Sequence, residues 1–89
     1  MKINLFNIFL NHVNTFPEKT AYKFEKTALT YRQTAILSLK LSRYLKKIGV
    51  KQGTHLGIIS HNSLEFALLF WSCAYLEAVL VPLMPSYPD

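Results

Sequence analysis

The stretch Ser63–Leu76 is apolar on nearly every side, with only Glu65 and Ser72 sharing a polar flank in helical projection. Asn62 caps it and Glu65 reaches back from the third position, which marks a helix start. A helix without a solvated stripe must be covered on several faces at once. That one element therefore demands partners, and a chain of 89 residues encodes few of them. The wider run Leu64–Met84 is as long as a membrane helix, but Glu65, Glu77 and Pro82 interrupt it. Its longest acid-free part, Phe66–Leu76, is eleven residues, short of the roughly twenty a bilayer needs. A buried core helix is predicted, not a span. Met1-Lys2 before Ile3–Leu10 suggests a secretory leader only faintly, because Asn4 and Asn7 break the apolar run and no small-x-small cleavage site follows.

The rest of the chain alternates in period. Ile3–Asn14 predicts an amphipathic helix, with Asn4, Asn7, Asn11 and Asn14 on one side and Leu5, Phe6, Phe9, Leu10 and Val13 on the other. Phe16-Pro17 ends it, since a residue before proline is pushed out of the helical region. Thr20–Lys26 alternates as a half-buried strand, Tyr22 and Phe24 one way, Lys23 and Glu25 the other. A turn at Lys26-Thr27 leads to a second strand, Ala28–Thr30. Thr30 then caps a helix over Tyr31–Ile48 whose apolar face is Leu37, Leu41, Tyr44, Leu45 and Ile48. Gly49 stops it. His55–Ser60 and Val79–Leu83 read as buried strands, and the 14-residue helix between them implies a parallel pair.

Half the residues, 51%, are hydrophobic, which argues against disorder. A lone cysteine, Cys73, excludes an internal disulfide and fits a reducing, cytoplasmic setting. Cys73, His12, His55 and His61 lack zinc-ligand spacing, so no metal site is expected. All ten Lys and Arg lie in residues 1–53 against Glu18 and Glu25, while residues 54–89 carry only Glu65, Glu77 and Asp89. Arg32, Lys40, Arg43, Lys46 and Lys47 gather on one side of the second helix. No aromatic residues interleave with them as a nucleic-acid surface would require, so a solvated face is the expectation. Peripheral contact with an anionic membrane stays open. Ser60, His61 and Ser63 put hydroxyls beside an imidazole, but neighbours in sequence rarely reach base–nucleophile geometry. A capping turn explains them better. Phe66, Phe70, Trp71 and Tyr75 are expected in the core.

Five short strings follow one another through the chain. They are Leu29-Thr30-Tyr31; Leu41 with Leu45; Gly49-Val50-x-x-Gly53; Asn62-Ser63-x-Glu65-Phe66; and Ala78-Val79-x-Val81-Pro82-Leu83-x-Pro85-x-Tyr87. Together they resemble the opening of AMP-forming acyl-CoA synthetases, the adenylating superfamily, over Leu5 to Tyr87. The departures are Thr54 for the family's aspartate, Glu77 for its glycine, Met84 where asparagine is common, Thr34 at a hydrophobic position, and no glycine turn near Lys26-Thr27.

The resemblance implies an α/β fold: the incomplete N-terminal portion of the adenylating-enzyme large domain, a helix, a β-hairpin and a β-α-β crossover, within residues 1–89. It also implies a ligase that uses ATP and Mg to join a carboxylic acid, expected to be a fatty acid, to AMP and then to coenzyme A. That chemistry needs a glycine-rich phosphate loop with a lysine, a ribose-binding acid and a metal-holding carboxylate. Gly49, Gly53 and Gly57 are spaced as turn and strand residues, and no Gly-Lys pair occurs. No catalytic, cofactor-binding or metal residue of the family maps onto this sequence, so the chain alone is expected to be inactive. Its expected partners are the remainder of a synthetase or a second copy of itself. A small interaction module, working through its apolar or its basic helix, is the alternative.

Overall fold

In a computed structural model residues 4–59 and 63–83 are described. The element order is α1 (Leu5–Thr15), β1 (Thr20–Phe24), β2 (Thr27–Thr30), α2 (Tyr31–Lys47), β3 (His55–Ile58), α3 (Ser63–Leu76) and β4 (Val79–Pro82). β1 and β2 form an antiparallel hairpin, and β3 and β4 a parallel pair joined through α3. This is the expected α/β architecture.

Local chemistry explains most boundaries. Asn4, read from the sequence as one of the exposed asparagine stripe, instead caps α1, its Oδ1 accepting the Phe6 N–H at 2.9 Å. Thr30 and Gln33 form a reciprocal capping box at the start of α2: the Gln33 N–H donates to Thr30 Oγ1 at 3.1 Å and the Thr30 N–H to Gln33 Oε1 at 2.9 Å. Both long helices end in the same way. Gly49 (φ +105°) and Glu77 (φ +59°) turn left-handed. The Val50 N–H reaches back to the Leu45 carbonyl and the Ala78 N–H to the Cys73 carbonyl, each at 2.9 Å. Those bonds satisfy carbonyls that the helix end would otherwise orphan. The hairpin turn falls on Glu25-Lys26, one residue earlier than expected, with Glu25 at φ +55°. The Asn62 cap expected for α3 lies outside the described residues.

α3 is the hub, packed against α1, α2, β1 and β4. The core gathers Phe6, Phe9 and Val13 of α1 with Ala35 of α2, backed by Leu10, Tyr31, Leu39, Trp71 and Ala74. Phe9 stacks flat on Trp71, ring centroids 4.2 Å apart, and Phe6 meets Tyr75 edge-on at 5.1 Å.

Three expectations need correction. α2 does not bury the face its hydrophobic residues define. It buries Thr34, Ala35, Ser38, Ser42 and Leu45, while Leu37, Tyr44 and Ile48 stay exposed. Ser72, read as part of a polar flank, is fully buried against α2. The reason is shared: α2 and α3 meet through small side chains, and close approach favours serine and alanine over leucine. The strands are also less buried than their composition suggested. Ile59, Val79, Val81 and Leu83 are exposed because α3 covers only one face of the parallel pair.

Candidate functional site

Five surfaces could carry function: the α2–α3 seam, an aromatic crevice, a groove between α3 and β4, the basic flank of α2, and the open face of the parallel pair. Along the seam the Ser72 hydroxyl lies 2.8 Å from the Ser38 carbonyl and 2.7 Å from the Leu68 carbonyl, its one proton shared between them. Ser42 Oγ donates to the Leu39 carbonyl at 2.6 Å and Thr34 Oγ1 to the Thr30 carbonyl at 2.8 Å. Ser38 Oγ is buried with no hydrogen-bond partner among the described residues. These hydroxyls serve helix packing. None is placed beside a base.

The crevice, about 260 Å³, opens between α1, β1, α2 and α3, with His12, Tyr22, Tyr31 and Trp71 on its walls. Trp71 Nε1 donates to the Tyr22 hydroxyl at 2.9 Å, which ties α3 to the hairpin. The His12 ring sits against Tyr31 and Phe16 rather than against an acid. On the far side of α3 a groove of about 310 Å³ runs between Leu5, Phe66, Phe70, Cys73, Leu80 and Pro82. Burial pushes the Cys73 thiol above its ordinary pKa, so at neutral pH it is a protonated core residue and a poor nucleophile.

The features singled out from sequence are dispersed. Lys40, Arg43, Lys46 and Lys47 stand exposed on α2. Arg32 pairs with Glu18 at 2.6 Å, and both are solvent-exposed, so the pair is worth about 1 kcal/mol at most. Of the aromatic set, Trp71 is packed into the core, whereas Phe70 and Tyr75 are substantially exposed. Ser60, His61 and the Ser63 side chain lie outside the described residues. Among the described residues no three His, Cys, Asp or Glu side chains converge on a metal position, and no helix is long and apolar enough to cross a membrane. Sequence reasoning missed the crevice, because its walls come from four elements and only their packing brings them together.

The class that this order of elements defines is the N-terminal part of an adenylating-enzyme domain. The Klebsiella oxytoca NpsA N-terminal subdomain superposes with a TM-score of 0.88 at 25% identity, over 96% of this chain and 22% of that one. The sequence matches the family described as AMP-binding enzyme over residues 9–89, and the chain belongs to that family. It is 35% identical over 82 residues to bacitracin synthase 3 of Bacillus licheniformis, spanning 92% of this chain and 1% of that protein. It is 38% identical over 66 residues to the 2-succinylbenzoate–CoA ligase of Oceanobacillus iheyensis, spanning 73% of this chain and 14% of the ligase. The chain thus spans a small part of the relatives it matches.

Proposed function

We propose that this chain works as the opening part of an ATP-dependent acid-activating enzyme, and that the chemistry resides in polypeptide it does not itself contain. In the reaction a carboxylate oxygen attacks the α-phosphorus of ATP and pyrophosphate leaves. A coenzyme A thiolate then attacks the acyl carbon and AMP leaves. The observation that carries this reading is the family match across residues 9–89. The CoA ligase match favours a thioester as product, and the fatty acid that the resemblance implies is the substrate class we assign. The bacitracin synthase match favours a second reading, in which the same activation serves a synthase.

The 89 residues hold no Gly-Lys phosphate loop, and the described ones show no cluster able to hold a metal. Their role is structural: α3 and the parallel pair begin a sheet that further chain would extend. Each missing electrostatic donor typically costs about 10²–10³ in rate. The purified chain is therefore expected to show no acid-dependent exchange of pyrophosphate into ATP. Co-expression with the Oceanobacillus ligase lacking its own matching segment should restore exchange driven by 2-succinylbenzoate. Exchange by the 89-residue chain alone would refute the assignment. So would a complex that forms yet stays inactive.

A further inference from the structure

We infer that the outward face of α2 rests on an anionic lipid surface, with its large apolar side chains among the headgroups and its lysines on lipid phosphates.

Packing puts those side chains outside. Apart from Leu45, the inward side of α2 is made of small residues, Thr34, Ala35, Ser38 and Ser42. The large apolar ones are left in the open: Ile36, Leu37, Tyr44 at 60% exposure and Ile48 at 59%. Leu37, Lys40, Tyr44 and Lys47 succeed one another at intervals of three, four and three residues, so they stand in one row along the helix. Ile36 and Ile48 carry that row to either end, over about 18 Å. Arg43 flanks it, and Lys40, Arg43 and Lys47 are all exposed.

Charge chooses the partner. α2 carries five cations and no acid. Arg32 is paired with Glu18 at the first turn. The other four, Lys40, Arg43, Lys46 and Lys47, crowd the C-terminal half, and Lys51 follows just beyond Gly49. The complement of such a surface is a dense array of negative charge.

The interleaving of apolar and basic residues selects lipid over protein. In the middle of a protein interface Lys40 would lose its water between Leu37 and Tyr44, and interface cores are poor in lysine. In a headgroup layer the lysine stem lies along the same apolar surface while its ammonium stays hydrated and meets phosphate. Tyrosine suits that boundary, its ring apolar and its hydroxyl wet. A second copy placed face to face would repeat the same cations. The phosphate backbone of a nucleic acid offers nothing to Leu37 or Ile48.

Flotation of the 89-residue chain with lipid vesicles tests this. Vesicles containing about one-third phosphatidylglycerol should bind at least about tenfold more strongly than phosphatidylcholine alone. Raising the salt from about 0.1 M to about 1 M should abolish most of that binding. Lys40→Gln with Lys47→Gln should weaken it about tenfold or more, whereas Lys40→Arg with Lys47→Arg keeps the charge and should preserve it. Leu37→Gln with Tyr44→Gln should weaken it about tenfold, with the far-UV circular dichroism unchanged. Tyr44→Trp reads the contact directly: its added emission should move to the blue on anionic vesicles, while that of the packed Trp71 in the parent chain should not. Binding that both glutamine pairs leave intact overturns the inference, as does a Tyr44→Trp emission that stays where it was. Equally strong binding to soluble polyglutamate overturns it too, and would make an acidic protein the partner.

Discussion

Glu77 holds a left-handed backbone position, φ +59°, at the end of α3. A residue with a Cβ pays about 1 kcal/mol there relative to glycine. The resemblance marked this site as a family glycine, and the helix stop is formed despite the substitution. Glu77→Gly is expected to raise stability by up to about 1 kcal/mol in urea denaturation; a loss would mean that the glutamate side chain contributes more than its backbone costs. The two seam serines should respond in opposite directions. Ser38 buries a hydroxyl without a partner among the described residues, and Ser38→Ala removes that desolvation cost, stabilising by about 1 kcal/mol. Ser72 donates across the seam, and Ser72→Ala should destabilise by a similar amount, about 1 kcal/mol. Equal effects in one direction would contradict the hydrogen-bond assignment.

At the scale of an element, α2 shows where pattern reading fails. Its ends were legible: Thr30 caps it, Gly49 stops it, and Lys46 and Lys47 sit in the last turn near the negative end of the helix dipole. Its inward face was not. Leu37, Tyr44 and Ile48 lie to one side of the residues actually buried, so hydrophobicity pointed at a second, separate contact surface. Replacing Leu37 and Tyr44 by glutamine should change the stability of the isolated chain by no more than about 0.5 kcal/mol each. Leu45→Ala, at a residue only 4% exposed, should cost about 2–5 kcal/mol. A glutamine variant as damaging as Leu45→Ala would restore the face expected from sequence.

At the scale of the whole molecule, one chain presents the α2 stripe, the open side of the parallel pair, and Leu5 and Ile8 of α1, each more than half exposed. Exposed apolar area of this extent favours association. The isolated chain is expected to self-associate in sedimentation and to bind a hydrophobic dye, and the glutamine variants of α2 should reduce both. A monomer that melts sharply and binds no dye would show that these surfaces are covered from within.

The sequence by itself determined the elements, their order and their kinship. Caps, stops and the 2.0 and 3.6 periodicities are local signals, and five ordered strings were enough to show the family. It located no site: the chain has no Gly-Lys pair and so no phosphate loop of the family's kind. Tertiary structure alone decided that α2 turns its serines inward, that Trp71 reaches Tyr22 across 49 positions of sequence, and that the parallel pair leaves Val79, Val81 and Leu83 exposed. Those outcomes depend on how closely two helices approach and on strand register, and both are set by contacts between residues distant in the chain, which no local pattern encodes.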